Sequence, residues 1–202
     1  MKLDRTLVVD VALKLLNEVG LDGLSLRRLA QDLGVQAPAL YRHFASKQEL
    51  LQAMADSMLV DVMSVLDRPA PRADWADWLA ARSRAVRRAL LSYRDGGRLQ
   101  EYARPTAEQW PGLELLLQMM EGAGFTIEDA MYAIFALGNH TLGAVIAEQT
   151  SQAPGAPGGL RIDEARFPLL ARGVTLRTAG RDFDREFEYG LHLLISGLRN
   201  RS

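Results

Sequence analysis

Gly23-Leu24-Ser25-Leu26-Arg27-Arg28-Leu29-Ala30-Gln31-Asp32-Leu33-Gly34-Val35-Gln36-Ala37-Pro38-Ala39-Leu40-Tyr41-Arg42-His43-Phe44-Ala45-Ser46-Lys47 holds two short helical patterns separated by a glycine. Ser25 is a good N-cap for a helix ending at Leu33, because its hydroxyl can accept from an orphan amide. Gly34 ends that helix, and Pro38 suits the first turn of another over Gln36 to His43. So short a helix is not stable alone in water, so packing of Leu40 and Phe44 must hold it. Leu24, Leu29, Ala30, Leu33 and Val35 complete the apolar faces, while Gln36, Ala37, Ala39, Tyr41, Arg42 and His43 are left facing outward. The spacing predicts a helix-turn-helix whose second helix is presented, not buried.

Helical periodicity continues on both sides, and no alternating run is long enough for a sheet. A first helix from about Asp4 to Val19 has apolar positions Val8, Val9, Ala12, Leu15, Leu16 and Val19, with Gly20 free to cap it. Capping boxes start later helices at Ser46 with Glu49, Thr106 with Gln109 and Thr126 with Asp129. They run from Ser46 to Leu66, Thr106 to Gly122 and Thr126 to Gln149. Two further helices span about Asp74 to Tyr93, broken by Asp95-Gly96-Gly97, and Asp182 to Arg199. Ser151 to Gly159 is too rich in Gly and Pro for a core and reads as a mobile loop. The fold class is all-α: an N-terminal three-helix helix-turn-helix domain, residues 1–47, and a larger helical domain, residues 48–202, for ligand binding and dimerisation.

The outward residues of the motif suit a DNA surface. Arg27 and Arg42 can fork onto guanine O6 and N7, and Gln36 can pair with adenine N6 and N7. Ala37 and Pro38 can touch a thymine methyl. Tyr41, His43 and Lys47, with the amides at the Ser25 and Ser46 helix starts, suit phosphate oxygens. The formal net charge is only -1. From Gly23 to Gln48, however, Arg27, Arg28, Arg42 and Lys47 face a single acid, Asp32, so the positive charge is local.

The chain has 202 residues and no cysteine, which excludes disulfides and thiolate chemistry and fits a reducing cytoplasm. Charges at Lys2, Asp4, Arg5 and Asp10 interrupt any signal-peptide core. Ala130 to Ala147 approaches a membrane span in composition. Its centre, Gly138-Asn139-His140-Thr141, would strand polar groups in lipid, so we expect a buried or interfacial helix and no membrane.

The motif residues quoted above, preceded by Ala12-Leu13-Lys14-Leu15-Leu16-Asn17-Glu18-Val19-Gly20, closely resemble the DNA-binding domain of the tetracycline-repressor (TetR) family. Arg94-Asp95-Gly96, Arg104-Pro105-Thr106 and Gly138-Asn139-His140-Thr141-Leu142-Gly143 resemble the ligand-binding half of its tetracycline-responsive branch. The resemblance implies a homodimer on double-stranded palindromic operator DNA, released when a small-molecule inducer enters the C-terminal domain. It assigns Arg27 to guanine and Tyr41, His43 and Lys47 to phosphates. Ala37 stands where the tetracycline-responsive branch reads a base with glutamine, which implies a different operator.

The resemblance also implies a site for magnesium-bound tetracycline, and here this sequence departs from it. Gln100 takes the place of the metal-binding histidine, Ala103 of a threonine, Leu116 of a glutamine and Ala147 of a carboxylate. We therefore expect no metal, no cofactor and an inducer other than magnesium-tetracycline. The apolar replacements suggest a pocket for a bulky, flat or greasy ligand, lined by Met63, Leu66, Val86, Leu113, Leu116, Leu117, Met120, Met131, Ile134 and Phe135. Polar orientation would come from Arg82, Gln100, Arg104, Asn139 and His140, beside Ala103 and Pro105. Methionines and aromatics at this spacing equally suit plain core.

Arg82, Arg84, Arg87, Arg88, Arg94 and Arg98 read most simply as a solvated helix face, with Arg82 the exception if it turns inward. His140 and His192 read as core or interface histidines. Small residues Gly138, Gly143, Ala144, Gly190 and Gly197 permit close approach of the helices over Thr126–Gln149 and Asp182–Arg199. This predicts a four-helix dimer interface, two helices from each subunit. Two alternatives stay open: a ligand-independent DNA-binding protein, and an all-α enzyme, for which the sequence offers no nucleophile-base pair.

Overall fold

The computed structural model describes residues 3–66, 74–104, 107, 110–153, 162–178 and 180–200; the side chains of 61–66 and 176–178 lie outside that description. Among the described residues there is no strand. The helices are α1 (Arg5–Gly23), α2 (Leu26–Asp32), α3 (Ala37–Tyr41), α4 (Lys47–Leu66) and α5 (Trp75–Leu91). They are followed by α6 (Gly96–Gln100), α7 (Trp110–Gly122), α8 (Ile127–Gln152), α9 (Pro168–Thr178) and α10 (Phe183–Arg199).

Local chemistry sets most of these boundaries. Asp4, Ser25, Asp74, Thr126 and Asp182 cap α1, α2, α5, α8 and α10, each accepting from backbone amides of the first turn. At Ser46 the Glu49 amide donates to Oγ over 3.1 Å, and the Glu49 carboxylate accepts from the Ala45 amide. At Thr126 the Asp129 amide donates to the hydroxyl, and the hydroxyl in turn donates to the Asp129 carboxylate. The box expected at Thr106 and Gln109 lies outside the described residues.

Two cores organise the helices. The first joins α1, α2, α3 and α4 through Val8, Leu16, Leu24, Leu29, Leu40, Phe44, Leu50 and Met54, and reaches Leu90, Leu99 and Val145. The second joins α5, α7, α8 and α10 through Trp78, Leu79, Leu116, Met120, Phe125, Ala133, Leu137, Phe187 and Leu191. Helix α8 is central, packing against α5, α6, α7 and α10. By length and composition alone α8 could cross a membrane. Its polar groups find partners within the protein: Thr141 donates to the Leu137 carbonyl, and the His140 ring sits 3.0 Å from the Phe187 carbonyl oxygen.

Several elements differ from the sequence reading. Gly20 takes the backbone out of the helix at a positive φ (φ 72°, ψ 174°), as a terminating glycine does, but a further helical turn follows directly and carries α1 on to Gly23. Helix α5 ends at Leu91 with Ser92 as its C-cap, before Asp95-Gly96-Gly97, and those residues open α6, where Asp95 turns the chain in a left-handed conformation (φ 57°). A Cβ at Gly96 would collide with the Leu90 carbonyl, so only glycine lets the two helices meet this closely. Helix α8 continues through Ser151 and Gln152 into the stretch read as a loop, whose remainder, 154–159, is outside the described residues. Helix α9 was not anticipated at all.

Arg87 requires a correction. It is not part of a solvated face: it is only 7% exposed, donating to Glu148 over 2.6 Å and to Asp184 over 2.5 Å. A buried guanidinium needs such partners, and these arrive from α8 and α10.

Candidate nucleic-acid interface and ligand cavity

The turn between α2 and α3 is built by a Schellman motif. Gly34 adopts φ 66°, its amide donates to the Gln31 carbonyl, and the Val35 amide donates to Ala30. The carbonyls left over at the end of α2 are thereby satisfied, and Gln36 starts α3 in extended conformation with no side-chain cap bond. Leu40 and Phe44 are buried, which anchors α3 from behind.

Two polar tethers fix the far end of α3. Arg5 donates to the His43 carbonyl and to Glu49, and its guanidinium lies 4.2 Å from the Phe44 ring centroid. Lys47 Nζ donates to the Leu24 carbonyl over 2.7 Å, joining the start of α4 to the α1–α2 turn. The hydrogen bond from Arg5, with the Ala45 amide second, holds the Glu49 carboxyl below its ordinary range. Arg5 and Glu49 were not marked as a pair in the sequence, since 44 positions separate them.

What this scaffold exposes is one face of candidate DNA contacts. Arg27, Gln36, Pro38, Arg42 and Lys47 are exposed, and Tyr41 is 56% exposed despite its aromatic ring. His43 and Ala37 are half-buried, Ala37 packing partly on the first core. Ser25 spends its hydroxyl on the Arg28 amide, and Arg28 pairs with Asp32 at 3.3 Å. The motif thus holds its own acid on Arg28 and leaves Arg27 and Arg42 toward solvent.

Behind this head, residues of α4, α5, α7 and α8 line a cavity of ≈ 190 Å³ that is partly open to solvent. Arg82, Val86, Leu116 and Ile134, named from the sequence, lie on its wall. So do Leu59, Leu79, Ser83, Leu137, Gly138 and Thr141, which sequence reasoning missed. Their signal was present: 79, 82, 83 and 86, and again 134, 137, 138 and 141, each follow one helical stripe. A stripe alone does not distinguish cavity wall from core. Ser83 and Thr141 donate their hydroxyl protons to carbonyls of their own helices, Leu79 and Leu137. The Arg82 guanidinium lies 5.7 Å from the Trp78 ring centroid.

The other pocket candidates lie elsewhere. Met120 is fully buried in the second core, and Leu117 packs against that core. Phe135 is 57% exposed and Asn139 is also exposed, because both sit on the adjacent outer stripe of α8. His140 stacks on Phe187, with centroids 5.3 Å apart, and lines a separate groove with Asn139 and Arg181. Arg104 folds back onto the Glu101 and Ala103 carbonyls, and Ala103 packs on the first core. Gln100, on α6, has a buried amide oxygen without a hydrogen-bond partner. Leu113 and Met131 are half-buried away from the wall, the Met63 side chain is outside the description, and Pro105 lies outside the described residues.

The donor set does not fit magnesium. That ion takes hard ligands, chiefly oxygen, in near-octahedral geometry. At the positions where the sequence departs from the magnesium site, Ala103, Leu116 and Ala147 bring no donor and Gln100 brings only a neutral amide.

Polar contacts connect the cavity helices to the head. The Gln149 amide at the end of α8 donates to the Tyr93 carbonyl and accepts from the Gly97 amide. In the same turn Asp95 accepts from the Leu21 amide, and Arg94 donates to Glu18 and, through its backbone, to Asn17. Arg98 reaches across to Asp22.

Comparison with known proteins matches both parts of this arrangement. Residues 8–54 match the family model "Bacterial regulatory proteins, tetR family", and residues 68–202 match "Tetracyclin repressor-like, C-terminal domain". The chain is 40% identical to the tetracycline repressor protein class C of Escherichia coli, covering 98% of this chain and 91% of that protein. A possible TetR family transcriptional regulator from Streptomyces coelicolor A3(2) superposes with TM-score 0.88 at 39% identity, covering 98% of this chain and 100% of the other. A TetR variant from Acinetobacter baumannii AYE, solved in complex with minocycline, gives TM-score 0.81 at 36% identity, covering 100% and 99%. The chain belongs to the tetR family of bacterial regulatory proteins: it is a DNA-binding transcriptional regulator with a tetracyclin repressor-like C-terminal domain.

Proposed function

We propose that this chain is a homodimeric, cytoplasmic repressor that binds a palindromic operator through α3 and is released by a small molecule other than magnesium-tetracycline. The observation that carries the DNA-reading half is the exposed face of Arg27, Gln36, Tyr41 and Arg42 on helices locked from behind by Leu40, Phe44, Arg5 and Lys47. Arg27 contacts a guanine and Gln36 an adenine, with Arg42 a second guanine reader and Ala37 and Pro38 beside a thymine methyl. Tyr41, His43, Lys47 and the Ser25 helix start meet phosphates.

A second copy is the natural cover for α8 and α10. Tyr132 and Phe135 stand out from α8, and Tyr189 and Leu193 from α10, each more than half exposed in one chain. Packing these faces about a two-fold axis gives the four-helix interface and sets two copies of α3 about 34–36 Å apart for successive major grooves. The same covering suits α8 to a protein interface, not to lipid. We assign the chain no catalytic role and no cofactor.

Release runs from the cavity to the head. The cavity wall on α8 continues to Gln149, whose amide brackets the α5–α6 turn, and Asp95 in that turn holds the kink in α1. A ligand that shifts α8 changes the spacing of the two heads, at a coupling of about 1–3 kcal/mol.

Selection of bound duplexes from a random pool tests the reading. The expected product is a two-fold symmetric sequence with half-site centres about 10 base pairs apart, bound by two chains. A pool that stays random, or one chain per duplex, overturns it.

A further inference from the structure

We propose that Arg5 and Glu49 are positioning residues that together set the angle at which α3 meets DNA, so that this ion pair, its acid included, raises discrimination between operator and other duplexes. The inference rests on the reading of α3 as the DNA-reading helix and adds two residues that touch no base. Helix α3 has five residues and no side-chain bond at its N-cap, so its direction is set from its two ends. At the front, the Gly34 and Val35 amides tie it to α2. At the back, Leu40 and Phe44 are buried, but apolar burial is non-directional and does not fix rotation about them. The directional bonds there come from another helix. Arg5, the first residue of α1, donates to the His43 carbonyl just past α3 and, over 2.7 Å, to Glu49 in the first turn of α4. Its guanidinium lies 4.2 Å from the centroid of the Phe44 ring. The second oxygen of Glu49 accepts from the Ala45 amide over 2.7 Å. One ion pair thus joins α1, the end of α3 and the start of α4.

The sign of the charge separates this role from a simpler one. Glu49 stands two residues from Lys47, which is assigned to phosphate, and a carboxylate there repels DNA. Charge alone therefore makes its removal tighten binding to every duplex. Arg5 is exposed and Glu49 half-buried, so the pair adds little to stability and can be broken in a folded head. Base-edge hydrogen bonds depend on donor angle and distance, whereas phosphate attraction tolerates a pivot of the helix. The loss on breaking the pair falls on discrimination.

The full chain is measured by fluorescence anisotropy on the selected operator and on a scrambled duplex, across a salt series, as parent, Arg5→Ala, Arg5→Lys, Glu49→Gln and the Arg5→Ala, Glu49→Gln double variant. Glutamine keeps the capping box at Ser46 and loses only the charge that Arg5 holds. Lysine can donate to both oxygens. Expected is a fall of at least about fivefold in the ratio of scrambled to operator Kd in Arg5→Ala and in Glu49→Gln, recovery in Arg5→Lys, and a double variant no worse than Arg5→Ala. Glu49→Gln binds the operator more weakly although an acid has gone, and melting temperatures stay near that of the parent. Tighter binding of both duplexes by Glu49→Gln, with the ratio unchanged, overturns the proposal. So does an Arg5→Ala variant that weakens both duplexes alike and lowers the salt slope by about one, the mark of a phosphate contact, or a melting temperature that falls in step with the ratio. Arg42→Ala separates this proposal from the reading beneath it. If the ratio falls in Arg42→Ala but not in Arg5→Ala, α3 reads DNA and the positioning role fails; if it falls in Arg5→Ala but not in Arg42→Ala, the positioning role stands and Arg42 reads no base.

Discussion

The DNA-reading head and the cavity domain behind it use opposite chemistry on neighbouring helices. The head turns polar and charged side chains outward, with Arg27, Gln36, Tyr41 and Arg42 facing solvent on a frame of buried leucines and Phe44. The cavity domain buries one cation, Arg87, against Glu148 and the exposed Asp184, and lines its void mostly with hydrocarbon. A surface meant for phosphates and base edges turns guanidinium groups such as Arg27 and Arg42 to solvent. A void with mostly hydrocarbon walls turns its hydroxyls back onto the backbone, as Ser83 and Thr141 do. The same helical fold serves both because one face of each helix is free to differ.

The largest effect that sharpens this contrast should come from Arg87→Ala. Removing the guanidinium strands Glu148 in a half-dry site, and breaking such a pair costs about 3–5 kcal/mol; the exposed Asp184 side chain places this chain at the lower end. Urea denaturation should show a lower midpoint. An unchanged midpoint would mean that the inward charges do not hold the cavity domain together. Gly96→Ala comes next: its Cβ meets the Leu90 carbonyl, so the α5–α6 turn must open, at a cost of about 1–3 kcal/mol. Hydrogen exchange at the Leu21 amide, held by Asp95, should accelerate in this variant.

Within the head, Ser25→Ala removes the cap on the Arg28 amide and should cost about 1 kcal/mol of stability, read as a fall in melting temperature. The smallest effect concerns pH. The Glu188 carboxyl is held below its ordinary range chiefly by the Arg84 hydrogen bond. Its contribution is therefore complete above the ordinary glutamate range and is lost as pH falls through the lowered value. Both partners are nearly half exposed, so the contribution is at most about 0.5 kcal/mol, and salt should erase it. Glu188→Gln should differ from the parent near neutral pH and converge with it once the pH has fallen through the lowered value.

How much of this was legible depended on the distance over which each rule acts. The helix-turn-helix was readable because Ser25, Gly34 and Pro38 act within a few residues of themselves, and the Schellman turn at Gly34 uses only local amides. The cavity was half readable: Arg82, Val86, Leu116 and Ile134 stand on its wall, while Phe135 and Asn139, one step round α8, do not. A hydrophobic stripe fixes a face but not what that face meets. Arg87 was misread because its partners lie 61 and 97 positions away, and nothing local distinguishes it from Arg84 or Arg88. Helix α6 was hidden by its own glycines, which read as a break although one of them permits the approach to Leu90.

In this arrangement α3 and the start of α2 read sequence while Lys47 only positions the head. It is tested most directly by fluorescence anisotropy of the selected operator, and of a scrambled duplex, across a salt series for the parent, Arg27→Ala and Lys47→Ala. Arg27→Ala should lose about 1–3 kcal/mol on the operator, relax discrimination at one base pair and barely affect the scrambled duplex. Lys47→Ala should weaken both duplexes alike and reduce the salt slope by about one. If both variants weaken operator and scrambled DNA equally, Arg27 does not read a base and the assignment of this surface is wrong.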